Sequence, residues 1–151
     1  MAGADTLHGT LIANGRAGVL LRGPPGSGKS DLALRLLHLG PHWQLVSDDQ
    51  VAVSRRGQGV FGQAPATIAG KLEVRGIGIV DVPVQAEAEL RLVVDLVPRK
   101  DVPRMPELTK NVELLGIAIP VARIHSFEAS SPLKVAMLLR LTIDRAALRK
   151  N

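Results

Sequence analysis

The segment GPPGSGKS, residues 23–30, constrains what this chain can fold into more than any other. It fits the pattern G-x-x-x-x-G-K-[ST] at every specified position. A short apolar run, Gly18–Leu21, precedes it. After it, from Lys29 to Leu39, the residues Leu32, Ala33, Leu36, Leu37 and Leu39 recur at helical spacing until Gly40-Pro41 stops them. Strand, glycine-rich turn and helix together let successive backbone N–H groups converge on phosphate oxygens, with the positive end of the helix behind them. Gly23, Pro24, Pro25, Gly26, Ser27, Gly28, Lys29 and Ser30 are therefore the candidate phosphate site. Lys29 is expected to reach the β- and γ-phosphates, and the Ser30 hydroxyl to join the shell of an accompanying Mg²⁺. Proline has no N–H, so Pro24 and Pro25 offer no donor and the cradle falls to Gly26, Ser27, Gly28 and the residues after them. A plain Gly/Pro turn before a helix is the alternative, and the flanking strand and amphipathic helix argue against it.

Gly and Pro cut the rest of the chain into short elements. TLHGTLIANG reads as a strand that turns at Asn14-Gly15 into AGVLLRG. QLVSDDQVAV reads as a strand carrying two carboxylates, and residues 54–70 as turn and loop. KLEVRGIGIVDVPV reads as strand, turn, strand, and ELRLVVDLVP as a strand ending at Pro98. The stretch Arg99–Asn111, with Pro103 and Pro106, is expected to be a mobile loop, and GIAIPVARIHS another short strand. Pro132 opens a helix, and Thr142 is placed to cap a second short one. Many strands with few helices predict an α/β fold, a mixed β-sheet with flanking helices, in one domain spanning residues 1–151.

Two further groups carry chemistry. Asp48-Asp49 end the apolar run Leu45-Val46 about 20 residues after Lys29. Adjacent carboxylates can divide labour, Asp48 polarising a metal shell and Asp49 taking a proton from an attacking hydroxyl; a solvated Asp-Asp turn is the alternative. Glu73 and Arg75 share a face of the strand in LEVRGIGIVD, with Gly76 and Gly78 permitting a bend, and a surface ion pair would look the same. His8 is a candidate base or phosphate contact, with a structural role the alternative. Arg104 could cross to a phosphate from its proline-rich loop, against the default of a solvated arginine.

Composition excludes several classes. There is no cysteine, hence no disulfide and no thiolate chemistry, which suits a reducing compartment. Neither a signal-peptide pattern nor an apolar run near the roughly 20 residues of a membrane helix is present. A cytoplasmic protein without a membrane partner is expected. The net charge of +5 comes from scattered basic residues, and two Phe, one Trp and no Tyr leave bases little to stack on, so nucleic acid is not the expected partner. The same scarcity predicts an aliphatic core.

Taken in order, His8-Gly9, GPPGSGKS, LVSDDQV and LEVRGIGIVDV resemble the catalytic domain of bacterial HPr kinase/phosphorylase, in which a P-loop is followed closely by V-[AS]-D-D and then E-[IV]-R-G-[LI]-G-I. The resemblance covers residues 6–141 and is strongest up to Val82. It implies a fold related to phosphoenolpyruvate carboxykinase, and an ATP- and Mg²⁺-dependent kinase that phosphorylates a serine of HPr, the carrier protein of the sugar phosphotransferase system. It further implies that Lys29 contacts phosphate, that Ser30 and Glu73 hold Mg²⁺, that Asp49 is the base, that His8 sits near the transferred phosphate and that Arg104 matches a loop arginine. Hexameric assembly is implied as well. Three departures accompany it: the chain looks like a short form without the family's N-terminal domain, Pro24 and Pro25 replace an acidic and a small residue, and HSFEASSP (residues 125–132) stands where the family has a loop rich in Pro, Gly, Arg and Asn. The last departure predicts weak or absent phosphorolysis. Two other readings share the motifs, a small-metabolite kinase and a nucleotide-sensing regulatory module.

Overall fold

The computed structural model describes residues 5–106 and 110–149. Among the described residues, eleven strands run in chain order as β1 (Asp5–His8), β2 (Thr10–Asn14), β3 (Ala17–Arg22), β4 (Trp43–Ser47), β5 (Gln50–Arg56), β6 (Gly59–Gln63), β7 (Lys71–Val74), β8 (Gly78–Asp81), β9 (Glu87–Leu96), β10 (Asn111–Leu114) and β11 (Ile117–Ile124). Two α-helices join them, α1 (Lys29–Leu37) and α2 (Ser131–Arg149). The main sheet is mixed, in the order β1-β5-β6-β9-β3-β2-β4, with the β10–β11 pair joined to β9.

β9 is the spine. Its first residues pair antiparallel with β6, its middle runs parallel to β3, and its last residues run parallel to β11. The apolar run Leu92-Val93-Val94 in its middle, buried throughout, suits a strand covered on both faces. Leu92, Val94 and Leu96 pack with Leu32, Leu36, Val135 and Leu139 of the two helices. Leu90 and Val93 face a second cluster, formed where β5, β6 and β11 curl over the other side of the sheet. Burying each such leucine or valine contributes about 1.5–3 kcal/mol. Trp43 is the only aromatic residue in either cluster, so the core is aliphatic as the composition predicts.

Strand directions decide where a site can form. β2 is antiparallel to both β3 and β4, so β3 and β4 run the same way, together with β9 and β11. The segments leaving β3, β4, β9 and β11 therefore emerge at one edge, the carboxyl edge where ligands of open α/β sheets bind.

The structure departs from the sequence reading at several points. TLHGTLIANG is two strands, broken at Gly9: β1 pairs with β5, while β2 pairs with β3 and β4. QLVSDDQVAV is also two strands, and Asp48-Asp49 form the corner between them. Residues 54–70 are not all loop, because β5 turns at Gly57 into β6 with Ala52–Arg56 paired to Gly59–Gln63. Arg75 lies in the turn after β7, closed by the Ile77 N–H donating to the Val74 carbonyl at 3.0 Å, and not on the strand with Glu73. α2 is one continuous helix; the Thr142 hydroxyl donates to the Leu138 carbonyl at 2.8 Å within it and caps nothing. The segment after Pro98 begins with a single 3-10 turn, Arg99–Asp101, and residues 107–109 of the expected loop lie outside the described residues.

Candidate active site

A cleft of about 400 Å³ opens at the carboxyl edge of the sheet, within the usual size range for small-molecule sites. Pro25, Gly26, Gly28, Lys29 and Ser30 form its floor; Asp48 and Asp49 come from the β4–β5 corner; Glu73, Val74 and Arg75 come from the β7–β8 hairpin. Phe127, from the segment after β11, closes the remaining side, and Asp31 completes the lining.

The loop leaves β3 where Arg22 makes a two-pronged ion pair with Asp95 of β9, at 2.7 and 3.0 Å. The Ser27 N–H donates to the Pro24 carbonyl at 3.0 Å, folding the loop into a turn. Ser27's N–H is thus engaged within the loop, and the loop residues expected to offer donors that also line the cleft are Gly26, Gly28, Lys29 and Ser30. Gly28 caps α1 in a left-handed conformation, φ 93°, and its carbonyl accepts the Leu32 N–H at 2.9 Å, starting the helix. Lys29 Nζ donates to the Gly23 carbonyl at 2.7 Å and more distantly to that of Pro24 at 3.4 Å. Of its three N–H groups, one thus remains for a ligand. Gly23, Pro24 and Ser27 belong to the loop without lining the cleft.

Asp48 is a hub. It is only 8% exposed. Its Oδ1 accepts the hydroxyls of Ser30 and Thr10, each at 2.8 Å, and its Oδ2 accepts the Glu73 backbone N–H at 3.2 Å. One carboxylate thus joins loop, strand β2 and hairpin. Asp49 differs: its side chain is exposed to the cleft and its backbone has φ 66°, a left-handed conformation that aspartate tolerates better than most residues. The Gly9 N–H donates to its carbonyl at 2.9 Å, and the Gln50 N–H to that of Asp48 at 2.7 Å, so the corner is fixed through the backbone.

His8 lies beside this corner, opposite Gln50 on β5, but its side chain is exposed and does not line the cleft. Arg104 is exposed beyond the 3-10 turn and likewise outside the lining. Thr10 and Phe127 were not singled out by the sequence reading. Thr10 is fully buried, and besides its bond to Asp48 its hydroxyl lies 3.5 Å from the Asp49 N–H. A hydroxyl inside the apolar strand TLIA was the available clue. Glu128, which follows Phe127, has its carboxyl held below the usual carboxylate range, chiefly by the Lys134 hydrogen bond and with further help from the charges of Lys134, Arg99 and His125.

Among the described residues no three His, Asp or Glu side chains gather in the manner of a protein-only metal cage. The donor set does fit Mg²⁺, which takes hard oxygen ligands and commonly uses one or two carboxylates beside substrate phosphates and water. Asp48, Glu73 and the Ser30 hydroxyl are the residues that would hold it.

The profile of the HPr Serine kinase C-terminal domain family matches residues 1–148. The chain belongs to that family. It is 33% identical over 159 aligned residues to the HPr kinase/phosphorylase of Lactobacillus acidophilus, covering 98% of this chain and 47% of that protein. The HPr kinase/phosphorylase of Burkholderia lata gives 33% identity over 159 residues, covering 99% of this chain and 48% of the relative. The chain thus spans about half the length of the curated relatives it matches. A solved structure, titled as the Hpr(Ser) kinase/phosphatase from Coxiella burnetii, superposes with a TM-score of 0.85 at 28% identity, covering 97% of this chain and 94% of that one. The family and the mixed-sheet fold implied by the sequence motifs are therefore borne out. Among the described residues no helix is long and apolar enough to cross a membrane.

Proposed function

We propose that this chain is an ATP- and Mg²⁺-dependent protein kinase that transfers the γ-phosphoryl group to a serine hydroxyl of an HPr-type carrier of the sugar phosphotransferase system. The observation that carries the reading is the convergence of three separate segments on one cleft: the phosphate loop, the Asp48-Asp49 corner and the Glu73 hairpin. Membership of the family, and the names of the relatives, supply the acceptor.

In this reading the N–H groups of Gly26, Gly28, Lys29 and Ser30 and the Lys29 ammonium bind the β- and γ-phosphates. Ser30, Asp48 and Glu73 hold Mg²⁺, whose bound charge offsets that of the phosphates. Asp49 accepts the proton of the serine hydroxyl as that oxygen bonds to the γ-phosphorus and ADP departs. His8 and Arg104 are candidates for contacts with bound substrate from the rim. Thr10 is a positioning residue, because its hydroxyl orients Asp48. We place the enzyme in the cytoplasm and assign it a homo-oligomeric, hexameric assembly, on family resemblance. Phosphorolysis should be weak, since HSFEASSP, whose Ser126 donates to the Ser27 carbonyl of the phosphate loop, lacks the family's usual loop chemistry.

The direct test mixes the purified chain with ATP, Mg²⁺ and HPr from the same organism and measures the intact mass of HPr. A gain of one phosphoryl group supports the reading. Turnover of ATP with a small hydroxylated metabolite but not with HPr would replace the acceptor, and no turnover with any acceptor would leave a nucleotide sensor.

Thr10→Val removes one hydroxyl donor from Asp48 while keeping the side-chain shape. A hydrogen bond to a carboxylate is worth about 1.5–3 kcal/mol, so the Mg²⁺ concentration needed for half-maximal transfer should rise about tenfold. Thr10→Ser should restore it. An unchanged Mg²⁺ titration in Thr10→Val would remove the positioning role.

A further inference from the structure

We propose that Phe127 is the platform on which the base of the bound nucleotide stacks; the inference deepens the nucleotide reading above and rests on it. Phe127 is one of only two phenylalanines in the chain and is 55% exposed. An exposed aromatic ring is unremarkable alone, but this one lines the same cleft as Gly28 and Lys29. A Cβ built on Gly28 would meet its Cε1 and Cζ at 2.9 Å, so the ring abuts the turn that presents the phosphate donors.

The backbone on each side of the ring is fixed, while the ring itself stays exposed. The Arg35 guanidinium donates to the Ser126 and Glu128 carbonyls, one on each side of Phe127. The Ser126 hydroxyl donates to the Ser27 carbonyl of the loop itself. His125 meets the ring edge-on, with centroids 5.7 Å apart and planes at 71°, and its Nδ1 is fixed 3.0 Å from the Val97 carbonyl. An exposed aromatic ring on a fixed backbone at the cleft wall suits a planar ligand, because little backbone ordering remains to be done on binding.

Strand order says which part of the ligand meets it. In the sequence of neighbours β11-β9-β3-β2-β4, the phosphate loop leaves β3, Phe127 follows β11 and Asp49 follows β4. The ring and the candidate base therefore lie on opposite sides of the loop, each two strands away, roughly 10 Å by inter-strand spacing. A nucleoside triphosphate bound at the loop with its γ-phosphate toward Asp49 extends its base toward Phe127. Every base offers a π face, so this platform favours nucleotides over free polyphosphate without selecting strongly among bases.

The test is calorimetric titration of the full chain with Mg-ATP, Mg-GTP and Mg-tripolyphosphate. Phe127→Ala should weaken ATP and GTP about tenfold and leave tripolyphosphate unchanged. Phe127→Leu, which keeps apolar bulk but no π face, should behave nearer to alanine, and Phe127→Trp should restore or tighten both nucleotides. Equal weakening of ATP and tripolyphosphate would make the ring a prop for the loop and overturn the proposal. Unchanged ATP binding with a raised KM for the protein acceptor would make it an acceptor contact and overturn it equally. Failure of the unaltered chain to bind ATP or tripolyphosphate would instead remove the nucleotide reading itself, and this inference with it.

Discussion

Asp49→Asn should lower phosphoryl transfer to the protein acceptor by about 10²–10⁴-fold, the usual contribution of a general base, while Mg-ATP binding stays within a few-fold of the unaltered chain. The substitution isolates chemistry from architecture. Asp49 has φ 66°, and asparagine tolerates that conformation as aspartate does. The bonds that fix the corner, from the Gly9 N–H to the Asp49 carbonyl and from the Gln50 N–H to the Asp48 carbonyl, belong to the backbone and survive. The contacts of Asp48 with Thr10, Ser30 and Glu73 do not pass through the Asp49 side chain. Asp49→Ala is a poorer probe, because a left-handed alanine adds about 1–2 kcal/mol of backbone strain to the loss of the carboxylate. Asp48→Asn should show the complementary pattern: its amide would present N–H groups to donors already there, so nucleotide and Mg²⁺ binding should suffer along with transfer. Intact-mass transfer assays beside calorimetric ATP titrations separate the two. Retention of more than about a tenth of the transfer rate in Asp49→Asn is incompatible with a base worth even the lower limit of that range.

Much of this site was legible in the sequence because its chemistry is local. A phosphate loop needs its glycines, lysine and serine within eight consecutive residues, and each function there is bound to its spacing. The Asp-Asp pair was legible too, because the apolar run Leu45-Val46 leads into it, and Glu73 because it opens the EVRGIGI segment. What failed were inferences that depend on contacts far apart in the chain. Residues 54–70 read locally as turn and loop, yet Gly62 lies in β6. There a Cβ would meet the side chain of Leu11 at 2.5 Å and that of Val51 at 2.9 Å. Its glycine answers a packing demand from two other strands, which no window around residue 62 reveals. Thr10 was passed over for a related reason: its value comes from Asp48, 38 residues away. Phe127 lies in the one segment that departs most from the family pattern, and its place at the cleft follows only from β11 running parallel to β9 beside β3.

Gly28→Ala is the second substitution from which a large effect is expected, on stability as well as binding. Two costs add at this position. With φ 93° any side chain is strained by about 1–2 kcal/mol, and the new Cβ would press on Ser126 Oγ at 2.6 Å and on the Phe127 ring at 2.9 Å, an overpacking of about 1–3 kcal/mol. Together about 2–5 kcal/mol should be lost, which for a domain of this size lowers the melting temperature by roughly 5–15 °C. Gly26→Ala separates the two terms. Its φ of 83° carries similar strain, but a Cβ there meets nothing within 4 Å, so only the strain should appear. Equal melting temperatures for the two variants would mean that the 126–127 segment yields freely and does not constrain the loop. A third measurement uses the same contact. Phe127→Ala removes the ring but not the Ser126 hydroxyl, so in the Gly28→Ala background it should recover part of the lost stability, whereas in the unaltered chain it should recover none. That coupling would be the physical signature of a phosphate loop whose shape is set by the segment after β11, and it would explain why two prolines are tolerated in it. The loop is braced from outside by the Ser126 hydroxyl, whose own segment Arg35 holds through the Ser126 and Glu128 carbonyls.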